Sequence, residues 1–272
     1  MNSRPSPTHL TIEKFPVLNI DIMWDSLKRI KAWGTNFSGC MELMKRVPHL
    51  QSCSLSMYFG TSPLLPTTGF RHMHLRKLEL FESPIYTLMV FLGLIELPSL
   101  EEYGYHSNQG YILANSVVSL LNRSGCCLKV LNLELEARGP AMEDINKLLG
   151  AVPYLQEFQL KLRRPGRITA FIMDDLFIQL SSSPPVLEGG APGLLPDLKS
   201  LKLYFGEGYM FDCIPDIFSW PHRRLLSLQV DGSRKMVFND DILHKIPKLI
   251  NQGFKIRIFE DGSNPYLCSS LN

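Results

Sequence analysis

The stretch Leu128-Lys129-Val130-Leu131-Asn132-Leu133-Glu134-Leu135 decides the fold of this chain. Leucines stand at its first, fourth and sixth positions. Apolar and polar residues alternate through most of it, which is typical of a short strand with one buried face. Such a strand buries too little surface to be stable alone and needs similar strands stacked on it. Copies of the pattern should therefore recur along the chain.

Eight copies occur, and most of their spacings fit leucine-rich repeats. The first leucines stand at Leu27, Leu50, Leu75, Leu100, Leu128, Leu155, Leu198 and Leu225. Successive copies are 23 to 28 residues apart, except for an interval of 43 residues before Leu198, whereas leucine-rich repeats span about 20–29 residues. A proline precedes the first leucine in four copies, where it ends a helix and favours extended backbone. These prolines are Pro48, Pro98, Pro153 and Pro196.

Helical patterns follow several of these strands, so the sequence predicts an α/β leucine-rich-repeat solenoid. Its curved parallel sheet would form the concave side, its helices would form the convex side, and its repeats would be irregular. We predict helices over residues 36–47, 83–97, 111–122, 141–152, 168–180 and 239–250, and a closing strand over 254–258. The predicted solenoid spans 9–260 and carries a loop at about 181–197. Residues 1–8 are predicted to be a disordered N-terminus and 261–272 a tail.

Composition limits the classes of function. The net charge of +2 gives no reason to expect nucleic acid or an anionic membrane as a partner. No apolar run reaches the length of a membrane span, and the N-terminal residues lack the apolar core of a secretory signal. The six cysteines have no metal-site or disulfide spacing. They are interpreted as reduced thiols, which predicts a cytoplasmic or nuclear protein.

Strand alternation predicts which side chains face the concave side. The first, fourth and sixth positions of each copy should be buried, and the third, fifth and seventh should face outward. These outward positions give the candidate protein-binding residues. They are Arg29, Lys31, Trp33, Lys77, Glu79, Phe81, Glu102, His106, Asn132, Glu134, Glu157, Gln159, Lys161, Lys202, Tyr204 and Gln229. The aromatic residues Trp33, Phe81 and Tyr204 are the candidate anchors, because large aromatics dominate protein interfaces. They could instead pack under flanking loops.

No sequence feature predicts a reaction. The phosphate-binding, dinucleotide-binding and nucleophile-elbow motifs are all missing from the sequence. The pair His72 and His74 has no third ligand at metal-binding spacing nearby and is interpreted as two loop histidines. We therefore predict no enzyme activity, no catalytic residues, no cofactor and no metal.

The repeats resemble the F-box-like leucine-rich-repeat proteins of mushroom-forming fungi. The resemblance covers about residues 9–260 and is carried by the spacing, by Pro153–Leu160 and Pro196–Leu203, and by the closing Phe-Lys-Ile-Arg-Ile strand over 254–258. In that family an F-box helix bundle docks on a Skp1-type adaptor of a cullin ubiquitin ligase, and the solenoid selects substrates. No F-box pattern of the type Leu-Pro-x-Glu precedes His9, so an adaptor could bind only if an F-box lies upstream.

Two functions follow as expectations. The first is a protein-interaction scaffold, as implied by the resemblance: the substrate-recognition part of an F-box-type ubiquitin-ligase receptor. The alternative is a stand-alone ligand-sensing or regulatory leucine-rich-repeat protein with no link to a ligase. A concave pocket lined by Trp33, Phe81 and Tyr204 would favour the alternative.

Overall fold

The fold is taken from a computed structural model. It describes residues 4–14, 19–58, 68–108, 111–136, 142–163, 167–182, 193–205, 213–232 and 240–260. The predicted tail at 261–272, most of the predicted loop at 181–197 and the first residues of the predicted N-terminus lie outside these ranges. Contacts divide the chain into two units. Unit 1 comprises Met1–Asn108 and Leu113–Leu128, and unit 2 comprises Gln109–Ile112 and Lys129–Asn272.

Unit 1 is built on five parallel strands in the order β1-β2-β3-β5-β7. Their bounds are β1 (His9–Glu13), β2 (Arg29–Asn36), β3 (Ser52–Tyr58), β5 (Lys77–Phe81) and β7 (Glu102–Ser107). Two shorter strands, β4 (Phe70–Arg71) and β6 (Ile95–Glu96), pair with each other in a separate small sheet. The helices are α1 (Phe37–Arg46), α2 (Ile85–Leu94) and α3 (Ala114–Ser124), and a 3₁₀ turn spans Trp24–Ser26.

Unit 2 repeats the arrangement with five parallel strands in the order β8-β9-β10-β11-β12. They are β8 (Val130–Glu136), β9 (Glu157–Arg163), β10 (Ser200–Phe205), β11 (Ser227–Gly232) and β12 (Lys255–Glu260). The helices are α4 (Met142–Gly150), α5 (Arg167–Ser181), α6 (Ile214–Ile217) and α7 (Asp240–Asn251). A 3₁₀ turn spans Pro221–Arg223. Each unit is therefore an α/β structure with a parallel sheet, which confirms the predicted α/β class and the predicted parallel sheet.

The strand register brings equivalent positions of the copies side by side. In unit 2, Leu131 pairs with Phe158, and Phe158 pairs with Leu201, which pairs with Leu228. All four side chains are buried, with at most 1% exposed. The residue after each, such as Asn132, is half-buried. The predicted alternation thus holds in these strands, because burying the apolar side chains on the covered face lowers the free energy of the folded chain.

Local sequence signals explain the helix ends. Asn36 caps α1, because its side-chain oxygen accepts a hydrogen bond of 2.7 Å from the backbone N–H of Gly39. Gly125 ends α3 in the left-handed conformation, at φ 60°, and donates its N–H to the carbonyl of Leu121. Pro84 lies inside the predicted helix over 83–97 but occupies the N-cap position of α2. None of the helices described by the structure has both the length and the apolar character needed to cross a bilayer.

The last copy of the leucine pattern departs from the prediction. Leu225 was predicted to be buried, but it is 78% exposed, and Leu226 is fully buried instead. The chain enters β11 from the 3₁₀ turn at Pro221–Arg223, which shifts the inward leucine by one residue. Helix α2 is also shorter than predicted, because Ile95 and Glu96 leave the helix to pair with β4.

Candidate functional site

The sixteen candidate binding residues share one property in the structure: each is half-buried or exposed. Eight of them belong to unit 1 and eight to unit 2. Two other outward positions, Ser54 and Gly104, are buried instead. The exposure of the sixteen agrees with the predicted alternation, and their role in binding stays a prediction. We call the side of each sheet that carries them the half-exposed face.

Three rings form a contiguous row on the half-exposed face of unit 1. The ring centroids of Trp33 and Phe81 lie 4.6 Å apart at an interplanar angle of 60°. Phe81 in turn stacks on His106, with centroids 4.3 Å apart and an angle of 5°. These are favourable edge-to-face and stacked geometries. We call Trp33, Phe81 and His106 the aromatic row.

A bulge in β2 brings Trp33 into this row. Ala32 pairs with Leu55 and Thr35 pairs with Met57, so Trp33 and Gly34 together oppose Ser56 alone. Gly34 has φ 58°, a conformation that favours glycine. Phe81 pairs with Ser56 on the far side, so Trp33 and Phe81 lie two strands apart, about 10 Å between their backbones. Because Ser56 is small, the two large rings can meet above it.

A hydrogen-bonded charge network lies beside the aromatic row. The hydroxyl of Ser54 donates to Oε2 of Glu79 at 2.7 Å. The ammonium of Lys77 lies 3.1 Å from Oε1 of Glu79 and 3.3 Å from Oε2 of Glu102. Burial raises the pKa of Glu79, but the donors on Ser54 and Lys77 outweigh it and leave that pKa below its usual value. Glu79 is therefore held in its charged form.

Gly104 provides the space in which this network and the row meet. A Cβ atom at Gly104 would lie 3.1 Å from Cγ of Glu79 and 3.6 Å from Nε2 of His106. The first distance is shorter than ordinary van der Waals contact, so a larger residue would displace Glu79. The glycine sits in the middle of β7, where glycine otherwise weakens a strand. Its position thus marks a close approach of side chains on the half-exposed face.

The charges of unit 2 are arranged differently. Oε1 of Glu134 on β8 forms ion pairs with Lys161 Nζ and Arg163 Nε on β9, each at 2.7 Å. The side chain of Glu134 is only 13% exposed, so these ion pairs are partly shielded from water. Tyr204, on β10, pairs in register with Lys161 and Asp231. It belongs to a different unit from Trp33 and Phe81.

The predicted loop histidines line a groove of unit 1. His72 is 5% exposed, its Nε2 donates to the carbonyl of Val47 at 2.8 Å, and its Nδ1 accepts from the N–H of His74 at 3.4 Å. Burial lowers its pKa, against the raising effect of the Val47 bond. The groove measures about 380 Å³, and its lining includes Met44, Phe70 and His74. Both ring nitrogens of His72 are engaged within the protein, which agrees with a structural role.

The described part of the chain offers no metal site, and two of its cysteines are deeply buried. No group of three or more His, Cys, Asp or Glu residues within it could hold a metal ion. Cys40 and Cys53 are buried, and burial raises the pKa of Cys40 to about 12 and that of Cys53 well above its usual value. The thiolate is the reactive form of cysteine, so these two side chains behave as small apolar groups.

Arg223 is a buried cation that the sequence analysis did not identify. Its side chain is 0% exposed. Nη1 donates to the carbonyl of Leu195 at 2.6 Å and Nη2 donates to that of Leu194 at 2.5 Å. Its Nε has no hydrogen-bond partner among the described residues. Desolvation lowers the pKa of the guanidinium to about 10.

The same short segment also holds the end of helix α5. Trp220 donates its indole N–H to the carbonyl of Ser181 at 2.5 Å. Leu195, which accepts from Arg223, is buried and has φ 51°, an unusual backbone conformation for a residue with a side chain. Trp220 and Arg223 therefore fix the chain on both sides of residues 183–192.

Comparison with known proteins adds no family assignment. No model of a known protein family matches the chain, and no curated protein matches it significantly. The interpretation of the half-exposed face therefore rests on its own geometry.

Proposed function

We propose that this chain is a leucine-rich-repeat scaffold that binds a partner protein on its half-exposed faces. The aromatic row of unit 1 carries the proposal. Trp33, Phe81 and His106 are all half-buried, so each combines a fixed position with a surface that a partner can cover. Rigid aromatic side chains of this kind supply much of the binding free energy in protein interfaces, with little loss of conformational entropy.

The surroundings of the row support this function. Glu79, Lys77 and Glu102 form a polar border whose geometry is fixed by ion pairs and by Ser54. An apolar centre with a polar border is the usual anatomy of a protein interface. The bulge at Gly34 adds to the argument, because bulges often re-aim a side chain beside a functional site. The strand spacing and the alternation support the leucine-rich-repeat part of the proposal.

The resemblance to F-box-like proteins supports a more specific form of the proposal. In that form, the scaffold selects substrates for a ubiquitin ligase, and a Skp1-type adaptor binds an F-box encoded upstream. Ligand sensing is the weaker alternative. Phe81 contacts Trp33 at one side and His106 at the other, so much of the surface of these rings is used in contacts with one another.

Affinity purification with matched variants tests the scaffold. The test variant is Trp33→Ala combined with Phe81→Ala, and the control is Tyr86→Ala, which removes a 59% exposed ring on helix α2. Quantitative mass spectrometry of proteins captured from the source cells should show partners that the control retains and the double variant loses. Equal capture of partners by the wild type, the control and the double variant would refute the role of the aromatic row.

The ligase link needs a separate readout. The product of the complete gene should co-purify with a Skp1-type adaptor and a cullin if the link holds. Capture of row-dependent partners without these two proteins would leave the scaffold standing and remove the ligase assignment.

A further inference from the structure

A second surface, distinct from the aromatic row, lies on the last strands of unit 2. The register places Lys202 of β10, Gln229 of β11 and Arg257 of β12 side by side. In the neighbouring row, Ser200, Ser227 and Lys255 are side by side in the same way. We call Lys202, Lys255 and Arg257 the basic patch. Its side chains are half-buried or exposed.

The cations of the basic patch lack the counter-charges found elsewhere on the sheets. Lys77 pairs with two glutamates, and Lys161 and Arg163 share Glu134. By contrast, neither the two lysines nor the arginine of the patch has an ion pair within the described residues. The outward positions of β10, β11 and β12 hold these three cations and a single carboxylate, Asp231.

The charge balance differs on the neighbouring strand. Glu157 of β9 carries an exposed carboxylate, and it pairs in register with Ser200 and not with Lys202. The outward cations of β9, Lys161 and Arg163, are paired with Glu134, so the outward cations without an ion pair in this unit's described strands lie on β10 and on β12, the last strand.

We propose that the basic patch binds an extended, acidic segment of a partner protein. Lys255 and Arg257 are two residues apart on one strand, about 6.6 Å, which is the spacing of alternate side chains in an extended peptide. Lys202 and Arg257 lie two strands apart, about 10 Å, so they can reach successive carboxylates of a segment that crosses the sheet. The side chains of Ser227 and Gln229, between the cations, supply hydrogen-bond donors.

Two aromatic residues border the patch and favour a peptide. Tyr204 and Phe259 flank Asp231 in register and are half-buried. Such residues accept the apolar side chains that alternate with acidic ones in an amphipathic extended segment. This inference deepens the proposed binding function, because it names the chemistry of a partner, but it rests on residues of unit 2 alone.

Fluorescence polarisation of the complete chain tests the proposal. The probe is a short fluorescein-labelled peptide of alternating glutamate and valine, and the comparison probe replaces each glutamate with lysine. The acidic peptide should bind, and its affinity should fall as the salt concentration rises from about 50 mM to about 300 mM, because exposed charges are screened. The lysine peptide should show no binding.

Matched charge reversals locate the site. Lys202→Glu combined with Arg257→Glu should weaken binding of the acidic peptide by about tenfold or more. The control combines Arg224→Glu with Lys248→Glu, which reverses two exposed cations of the same unit that lie off the strands. It has the same net charge as the test variant and should keep the wild-type affinity. Far-UV circular dichroism verifies that both variants are folded.

Three results would overturn the proposal. One is equal loss of binding in both variants, which would indicate a response to net charge alone. Another is no binding of the acidic peptide by the wild type at low salt. The third is tighter binding of a short single-stranded RNA than of the peptide. None of these results touches the aromatic row, whose test depends on Trp33 and Phe81, so the two proposals fail separately.

Discussion

Replacing Arg223 by lysine, which keeps the charge, should destabilise the protein more than replacing it by methionine, which removes the charge. Arg223 is buried without a carboxylate partner among the described residues, and it stabilises unit 2 through two hydrogen bonds to backbone carbonyls. Bonds from a charged donor contribute about 1.5–3 kcal/mol each. The cost of desolvation opposes them: it lowers the pKa of the guanidinium to about 10, which corresponds to about 3 kcal/mol.

The two variants remove different parts of this balance. Arg223→Met loses both hydrogen bonds and leaves the carbonyls of Leu194 and Leu195 without their donor, but it also removes the buried charge. We expect it to lower the free energy of unfolding by about 1–3 kcal/mol. Arg223→Lys keeps the buried charge, and its compact ammonium lacks the planar fork that reaches both carbonyls. We expect a larger loss, of about 3–5 kcal/mol.

Urea denaturation measures both effects. Far-UV circular dichroism reports the whole chain, and tryptophan fluorescence includes Trp220, which bonds to Ser181 beside the same segment. Arg224→Met, at the exposed neighbouring residue, is the control and should change stability by less than about 0.5 kcal/mol. A lysine variant as stable as the wild type, with a methionine variant that fails to fold, would refute the reasoning. It would show that a buried positive charge at this position is sufficient and that the planar guanidinium is not needed.

Two further predictions concern the two faces of the strands. Leu131→Asp should lower the free energy of unfolding by more than about 5 kcal/mol or abolish folding, because it buries a carboxylate at a fully covered position. Asn132→Asp, one residue later on the half-exposed face, should lower it by less than about 1 kcal/mol. Urea denaturation of both variants measures the difference, and equal losses of stability would contradict the register. Ser54→Ala should raise the pKa of Glu79, seen in a carboxyl NMR titration, while Ser52→Ala should leave it unchanged. Because the pKa of Glu79 is lower in the folded protein than in the unfolded chain, its charged form stabilises the fold above the unfolded-state pKa, and this stabilisation is lost as the pH falls through the folded-state pKa. Ser54→Ala should therefore make the free energy of unfolding fall less on acidification. An unaltered titration of Glu79 would show that the Ser54 hydrogen bond is unimportant.

The positions of the strands could be predicted because each inward position is apolar. Leu128, Leu131 and Leu133 were expected to be buried, and all three are. The prediction depended only on period-two alternation, which is a local property of the sequence. Leu225 shows its limit. Only Leu225 stands at the pattern's spacing from Leu228 and Val230, yet the chain leaves the 3₁₀ turn before β11 with Leu226 buried and Leu225 exposed.

The contacts of the candidate site were harder to predict. Trp33 was identified as an aromatic on the outward face, but its contact with Phe81 depends on the extra residue of the bulge. Gly34, inside a strand pattern, was the available signal, because an isolated glycine in a strand often marks a bulge. Arg223 gave no comparable signal, since an arginine beside a proline-containing turn is normally exposed. Its burial depends on carbonyls about 28 residues earlier in the chain.

The alternation along each strand also affects how such a protein can evolve. Residues such as Leu131 and Phe158 specify the sheet, whereas Asn132 and Gln159, their immediate neighbours, contribute little to the core. Substitutions at outward positions such as Asn132 and Gln159 can accumulate without disturbing the packing of the buried residues. A lineage carrying this architecture can therefore change its exposed surface quickly while its fold stays the same.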